Sequence, residues 1–400
     1  MDLNQLRAEL RQEHKDILSY WARYAPDPVN GGFYGRVNYQ NQPDPNADKG
    51  IVLTSRILWT FSAALRHTQH DEYHSIADRA FQYLQKHFTD PQYGGVYWSV
   101  DSTGQPRQTL KHLYGQAFTL YGLSEYAHAT GSASALSAAK EIFKHMLNHA
   151  YDAQKGGFRE AQSRDWSPAT DYIISKYDNH EIKTMNTHLH ILEAFTNLYR
   201  VWPHKTVADQ MRHMLRMFQE HIVDPKTYRM KLFMDNDWRV RRTAISYGHD
   251  IEASWLLPEA ADVLANSNQD DKSLQKQIHD LAIKMARAAS DGLDADGGMN
   301  YELEPNGHLN RERSWWVMAE AMVGFMNAYQ LTHEKQFLEK SVNSWGYIKK
   351  YLLDTKNGEW YSGVTADHQV LGNDKISMWK CPYHNSRACL EMLDRIEHIR

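Results

Sequence analysis

A short turn built from glycine and an aromatic residue recurs along the chain and constrains the fold more than any other feature. Five clear copies begin at Gly31, Gly94, Gly156, Gly297 and Gly358, and a weaker sixth, residues 228–231, falls in the one large gap. Their spacing of roughly 60 to 70 residues is typical of a repeat architecture. Six repeats therefore fill the 400 residues.

Each turn lies between two helical stretches of different character. The stretches before it, such as 73–87, 135–149 and 208–221, place apolar residues three and four apart, which predicts one buried face. The stretches after it are more apolar and are predicted to be buried: 51–65, 113–126, 187–199, 251–264, 315–329 and 383–396. Six such pairs predict an all-α fold, the (α/α)6 barrel, with the apolar helices in an inner ring.

An open stack of the same helix pairs would also fit the period. Such a stack would expose its last pair, and neither end of the sequence carries a distinct polar capping repeat. A closed ring is therefore favoured, and residues 1–400 are predicted to form a single catalytic domain.

Charge and composition argue against several classes of function. The formal net charge is -4 without a strongly basic segment, so we expect neither nucleic acid nor an anionic membrane as a partner. No apolar run has the length of a signal peptide or a membrane span. The two cysteines, Cys381 and Cys389, are too far apart on a predicted helix to form a disulfide. We expect a cytoplasmic protein and a monomer.

The chain is rich in side chains that suit sugars and proton transfer, with 12 Trp, 23 Tyr and 22 His. Aromatic rings stack on the apolar faces of sugars, and imidazole exchanges protons near neutral pH. An aromatic helical core would have the same composition, so the positions of these residues must decide between the two interpretations.

Polar and aromatic residues recur at the same position within the repeat, near the start of each inner helix. If the inner helices are parallel, their N-termini open onto one face and bring one residue per repeat into a single pocket. The residues at these positions are Arg56, Tyr114, His190, His249 with Glu252, Trp315 with Trp316, and His384. His188 lies two residues before His190, and two such residues point to different faces of a helix, so one of them is structural.

This residue set favours proton transfer over other chemistry. His249 and Glu252 share a helix face, but no second ligand motif and no His-Glu-x-x-His accompanies them, so no metal is expected. No nucleotide-binding glycine motif occurs, so no cofactor is expected. A glycoside hydrolase needs two carboxylates, whereas Glu252 is the one acid at the converging positions. A sugar-binding protein would leave the histidines unexplained.

Several segments closely resemble the cellobiose 2-epimerases of the N-acylglucosamine 2-epimerase superfamily. They are residues 55–59, 111–114, 186–190, 246–253, 315–316 and 379–385. The stretches Ser-Tyr-Gly-His-Asp-Ile-Glu at 246–252 and Trp-Lys-Cys-Pro-Tyr-His-Asn at 379–385 resemble the disaccharide enzymes more than their monosaccharide relatives. The likeness runs from Gly31 to the C-terminus. It implies an (α/α)6 barrel, no required cofactor and action on β-1,4-linked disaccharides.

We therefore expect inversion of C2 in the reducing-end glucose, which converts cellobiose to glucosyl-mannose and lactose to epilactose. After ring opening, one base removes the C2 proton to give a cis-enediol or enediolate, and a second base returns a proton to the opposite face. The alternative is a monosaccharide aldose–ketose isomerase or 2-epimerase of the same superfamily. A glycoside hydrolase or a sugar-binding protein fits less well.

The expected roles follow from this scheme. His249 and His384 are the pair of bases, and His190 and Arg56 hydrogen-bond the O1 and O2 oxygens where negative charge develops. Glu252 is expected to orient His249. The residues expected to bind the sugars are Tyr114, Asn186, Trp316, Trp379 and Asp178, with Trp315 facing elsewhere.

Overall fold

Twelve α-helices make up most of the part of the chain that the structure describes. The computed structural model describes residues 2–169 and 182–399. In chain order the helices are α1 (Leu3–Tyr24), α2 (Ile51–Thr68), α3 (Asp71–Tyr83), α4 (Leu113–Thr130), α5 (Ala133–His145), α6 (Met185–Val201), α7 (Lys205–Met217), α8 (Tyr247–Ser267), α9 (Lys272–Ala289), α10 (Trp315–Thr332), α11 (Lys335–Tyr347) and α12 (Tyr383–Glu397). A π-helical turn extends α3, α5, α7 and α11, at Leu84–Phe88, Met146–Ala150, Phe218–Ile222 and Ile348–Leu352.

The even-numbered helices form a closed inner ring. Each contacts the next one around the ring, and α12 contacts α2, which closes it. The odd-numbered helices pack outside: α1 against α12, and each of the others against the inner helix that precedes it. The predicted (α/α)6 barrel is confirmed, and the contact between α12 and α2 excludes the open stack.

Burial differs between the two rings as the apolar patterns predict. Every residue of α2 from Ile51 to Ala64 is buried, whereas α3 buries only Ala77, Ala80 and Tyr83. An inner helix has neighbours on all sides, while an outer helix needs one apolar stripe. No helix among the described residues combines the length and the apolar character that crossing a membrane requires.

Glycines allow some inner helices to approach one another closely. A Cβ atom at Gly122 of α4 would lie 2.7 Å from the carbonyl oxygen of Ser55 in α2. At Gly324 of α10 it would lie 2.5 Å from the carbonyl oxygen of Ile251 in α8. Both distances are too short for a side chain, so glycine sets the packing of these helix pairs.

Short antiparallel strands connect the helices at one end of the barrel. They are β1 (Lys49–Gly50), β2 (Ser99–Val100), β3 (Pro106–Gln108), β4 (Lys111–His112), β5 (Ala161–Gln162), β6 (Lys183–Thr184), β7 (Phe233–Met234), β8 (Val240–Arg242), β9 (Ile245–Ser246), β10 (Glu302–Leu303), β11 (Leu309–Asn310), β12 (Arg313–Ser314) and β13 (Gly363–Val364). They pair as β1-β2-β3, β4-β5, β6-β7-β8, β9-β10-β11 and β12-β13. In each of these sheets, the strand just before an inner helix pairs with a strand of the next repeat.

A tight hairpin follows each outer helix and corresponds to the repeated glycine turn. The weak sixth copy is confirmed, because Val223 pairs with Met230 across it. Tyr228 adopts a φ of 57° at the position where another copy places Gly94 with a φ of 70°. That left-handed conformation explains why most copies carry glycine there.

An ion pair, buried in four of the five cases, fixes most of these hairpins to the segment before the next inner helix. We call these contacts the turn ion pairs: Asp27–Lys49 at 2.8 Å, Asp90–Lys111 at 2.9 Å, Asp152–Lys183 at 3.2 Å, Asp354–Lys375 at 2.9 Å, and Asp294–Arg313. In the fourth repeat the charges are exchanged, since Arg229 of the hairpin binds Asp250 of α8 at 3.3 Å. The inner-helix starts are therefore held by charged side chains that lie outside the ring centre.

Candidate active site

The N-terminal ends of the inner helices surround a cavity of about 510 Å³. This volume lies in the range of small-molecule sites. The structure brings nine of the predicted site residues together in its lining: Arg56, Tyr114, Asn186, His190, His249, Glu252, Trp316, Trp379 and His384. The tenth, Asp178, lies outside the described residues.

Both tryptophans at the start of α10 line the cavity, so the expectation that Trp315 faces elsewhere is wrong. The ring centroid of Trp316 lies 4.7 Å from that of His249 and 5.7 Å from that of His384. Trp315 also lines a neighbouring cavity that it shares with Trp379. Successive residues of a helix point about 100° apart, and at its first turn both directions reach the opening.

Two of the pocket histidines are held by carboxylates through Nδ1. Nδ1 of His384 lies 2.7 Å from Oε1 of Glu320, and Nδ1 of His190 lies 2.9 Å from Oε2 of Glu193. Burial lowers the pKa of His190, and it lowers the pKa of His384 well below its ordinary value. Both imidazoles are therefore neutral near pH 7 and available as bases.

His249 has a different partner from the one that the sequence predicts. Its Nδ1 lies 2.6 Å from Oγ of Ser246, whereas Oε1 of Glu252 accepts a hydrogen bond from Arg387 at 3.0 Å. Glu252 shares a helix face with His249 but points to the buried guanidinium, which attracts its carboxyl group. The expected contact between Glu252 and His249 is therefore wrong. Burial lowers the pKa of His249 to about 3.

A buried charged cluster beneath the histidines was missed in the sequence. Arg387, only 2% exposed, donates hydrogen bonds to Glu193, Glu252 and Glu320 and to the hydroxyl of Tyr383. Burial, followed by the nearby charge of Glu320, raises the pKa of Glu252 well above its ordinary value. Three carboxyl groups around one guanidinium thus favour the protonated form of Glu252.

The same cluster contains a group of potential metal ligands. Glu252, Glu320 and His384 place ligand atoms within 4.8 Å of one another. Arg387 donates to both of these carboxyl groups and already provides the positive charge that a metal ion would bring. The arrangement fits a hydrogen-bonded network better than a metal centre.

Arg56 places a positive charge at the cavity without a carboxylate partner in the part of the chain that the structure describes. It is 3% exposed and donates to the hydroxyl of Tyr114 at 2.8 Å and to Sγ of Cys381 at 3.5 Å. Its guanidinium lies 4.1 Å from the ring centre of Phe118, and its Nε has no hydrogen-bond partner. A desolvated guanidinium of this kind is suited to bind an anion.

Three glutamates that the sequence did not single out also line the cavity, namely Glu160, Glu302 and Glu312. Glu160 accepts hydrogen bonds from the hydroxyls of Thr184 and Thr187 at 2.8 and 2.5 Å. Glu302 accepts one from Arg242 at 3.3 Å. These residues lie in strands and loops between the helices, where the helix-start pattern contains no signal for them.

His188 is structural, and His190 is the one of the two that lines the cavity. The side chain of His188 is fully buried, with Nδ1 2.6 Å from the carbonyl oxygen of Thr184. Its Nε2 accepts a hydrogen bond from the backbone N–H of Phe158 at 2.9 Å. Because Nε2 accepts a hydrogen bond and Nδ1 donates one, the ring of His188 must be neutral. Burial lowers its pKa to about 4.

We expect His188 to contribute to acid destabilisation of the fold. The pKa in the folded state is lowered, so the unfolded state binds more protons below about pH 6.5, and stability falls as pH falls towards the folded pKa. The His188→Gln variant keeps a donor and an acceptor but does not titrate. Between pH 7 and about 5.5 the wild type is expected to lose about 1 kcal/mol more than the variant, measured by urea unfolding. Equal losses would contradict this.

Comparison with known proteins places these residues in a known family. The family model described as N-acylglucosamine 2-epimerase (GlcNAc 2-epimerase) matches residues 32–388. The chain is 45% identical over 391 residues to a cellobiose 2-epimerase of Bacteroides fragilis, covering 97% of this chain and 98% of that one. It is 39% identical to a cellobiose 2-epimerase of Ruminococcus albus, with the same coverage of both chains.

A solved structure shows the same overall arrangement. The cellobiose 2-epimerase from Bacillus thermoamylovorans B4167 aligns with a TM-score of 0.93 at 38% sequence identity. The alignment covers 98% of this chain and all of that one. The similarity therefore extends across both rings of helices.

Proposed function

Because the chain belongs to the N-acylglucosamine 2-epimerase family, we propose that it inverts C2 at the reducing end of β-1,4-linked disaccharides, with cellobiose and lactose as substrates. The chain is an isomerase, and its relatives support epimerisation of disaccharides. In this proposal the barrel works as one domain, with one helix start from each repeat around the substrate.

The observation that carries the proposal is the charge of Arg56 beside the histidines, which has no carboxylate partner among residues 2–169 and 182–399. Removal of a proton from C2 of the open-chain sugar creates an enediolate, whose negative charge needs a fixed positive partner. A planar guanidinium can hydrogen-bond two oxygens, which suits O1 and O2 of the intermediate. Its hydrogen bond to the hydroxyl of Tyr114 holds it in place.

The proposed reaction uses the three histidines in turn. As a neutral ring with Nδ1 held by Glu193, His190 accepts the O1 proton during ring opening, while solvent supplies a proton to O5 as the C1–O5 bond breaks. The imidazolium of His190 then donates back to O1 as charge develops. Of His249 and His384, one removes the C2 proton and the other delivers a proton to the opposite face. This role for His190 refines the one expected from the sequence, since the neutral ring must first accept a proton.

The histidine that delivers the proton must carry one at that step, and Glu252 is the proposed source. Burial raises the pKa of its carboxyl group well above the ordinary value, which favours the protonated form, and one of its oxygens lies within 4.8 Å of a ring nitrogen of His384. Transfer from Glu252 to His384 through one water molecule leaves a carboxylate beside Arg387, which stabilises it. The proton that the other histidine took from C2 then returns through solvent to Glu252. Glu252 thus acts in this scheme as a proton store and not as the orienting partner of His249.

Proton NMR of lactose incubated with the protein in D2O and EDTA tests the function. We expect deuterium at C2 and the appearance of epilactose, because the returned proton comes from a group that exchanges with solvent. Cellobiitol, which has no aldehyde at C1, is the control and is expected to remain unchanged. Free monosaccharides from lactose or cellobiitol would indicate a hydrolase instead. Exchange with mannose or N-acetylglucosamine but not with lactose would support the monosaccharide alternative.

A further inference from the structure

We propose that Arg387 is a positioning residue that fixes the tautomers of His190 and His384 at the same time, so that both rings offer an unprotonated Nε2 to the substrate. The functional consequence rests on the proposed epimerase activity, whereas the tautomers themselves are a property of the free protein. Arg387 contacts neither histidine through a hydrogen bond and acts through the carboxylates of Glu193 and Glu320.

The guanidinium of Arg387 binds both carboxyl groups that hold the two proposed catalytic histidines. One of its terminal nitrogens donates to Oε1 of Glu193, and the other donates to Oε1 of Glu320 at 2.7 Å. The same two carboxyl groups hold Nδ1 of His190 and Nδ1 of His384. Two histidines from different helices of the inner ring are therefore connected through one buried charge.

The hydrogen-bond inventory determines where the protons lie. Glu320 faces three groups: a guanidinium N–H of Arg387, Nδ1 of His384 and the indole N–H of Trp255 at 2.9 Å. Arginine and tryptophan can only donate, so the carboxyl group accepts from both. The carboxyl group accepts from the third group as well when the proton of His384 lies on Nδ1.

Glu193 repeats this pattern on the other side of the guanidinium. Its Oε1 accepts hydrogen bonds from Arg387 and from the hydroxyl of Tyr383, and its Oε2 faces Nδ1 of His190. Burial alone would raise the pKa of Glu193, but the charge of Arg387 and the contact with His190 lower it below its ordinary value. An ionised Glu193 again requires the proton of His190 to be on Nδ1.

His249 lacks this constraint and serves as an internal reference. Its Nδ1 faces the hydroxyl of Ser246, which can either donate or accept a hydrogen bond. Arg387 has no contact with Ser246 among the described residues. Loss of the guanidinium charge is therefore expected to change the tautomer of His190 or His384, whereas the tautomer of His249 stays the same.

Two-bond 15N–1H correlation spectra of protein labelled with 15N-histidine test the proposal, with signals assigned through His190→Gln and His384→Gln. In the wild type both residues are expected to be Nδ1–H tautomers. In Arg387→Met the three buried carboxyl groups lose their cation, so Glu193 or Glu320 takes up a proton and donates it to Nδ1. At least one ring then becomes the Nε2–H tautomer, and kcat is expected to fall about 100-fold with little change in KM.

Two further variants separate positioning from stability. Arg387→Lys keeps the charge and is expected to keep both Nδ1–H tautomers. Arg287→Met removes an arginine of the outer helix α9, which binds Glu334 at the surface, and is expected to leave tautomers and kcat unchanged. An Nε2–H tautomer in the wild type or in Arg387→Lys overturns the proposal. So do unchanged tautomers in Arg387→Met. If the tautomers are as expected but the protein has no epimerase activity, the proposed function is rejected and the tautomer proposal stands.

Discussion

Replacing His249 or His384 by alanine is expected to lower kcat for cellobiose and lactose about 100-fold or more in each case. Each imidazole is the proposed proton acceptor or donor on one face of C2, and alanine removes it without adding a charge. KM is expected to change far less, because the aromatic rings and hydroxyls proposed to bind the sugars remain. Initial rates of epilactose formation measure the effect.

Isotope exchange with the same variants distinguishes the two faces. A variant that keeps one base still removes the C2 proton on that face and returns a solvent deuteron to it, without inversion. His249→Ala and His384→Ala are therefore expected to exchange the C2 hydrogen of opposite epimers. One variant would act on lactose and the other on epilactose. This result would also assign each histidine to its face.

The control for this pair is His279→Ala. His279 lies on the outer helix α9 and contacts Asp262 at 2.7 Å, far from the inner-helix starts. Its substitution is expected to leave kcat and the exchange pattern unchanged. Exchange of the same epimer by both site variants, or near-normal turnover in either one, would show that the two-base scheme is wrong.

Lys375→Met is expected to lower the free energy of unfolding by about 3 to 5 kcal/mol. Lys375 is fully buried and lies 2.9 Å from Asp354, which is 3% exposed. Methionine fills most of the space but leaves the buried carboxylate without its cation. Urea unfolding followed by circular dichroism measures the change.

Adding Asp354→Asn to this variant is expected to recover at least about 1 kcal/mol, because the unpaired charge is then removed. Arg7→Met is the control, since Arg7 forms an ion pair with Glu397 on the surface and is expected to contribute at most about 1 kcal/mol. If Lys375→Met cost no more than Arg7→Met, the turn ion pairs would not be important for the stability of the barrel.

The fold could be predicted because its signals are local and repeated. The glycine turns reflect a left-handed backbone position, and the contrast between α2 and α3 in apolar content reflects full and one-sided burial. Even the irregular copy at Tyr228 was found from the period alone. These signals need no knowledge of which helices touch.

The candidate site could be predicted only in part. Residues such as His190 and His384 could be predicted because they occupy equivalent positions near the starts of the inner helices. The contact between His384 and Glu320 joins residues 64 positions apart, and nothing local in the sequence indicates it. Glu252 was assigned to His249 by helix spacing, but the position of Arg387 decides where its carboxyl group points, and that depends on how the ring closes.

The turn ion pairs and the cavity residues are different sets of side chains, and this separation has a consequence for redesign. Lys49, Lys111 and Lys183 bind their hairpins through side chains that do not line the cavity. A change of substrate can therefore be introduced one repeat at a time, through a cavity residue such as Trp379, with the turn ion pairs left intact. The proposed sugar-binding residues can in this sense be replaced separately, because the contacts that hold the hairpins to the barrel are made by other side chains.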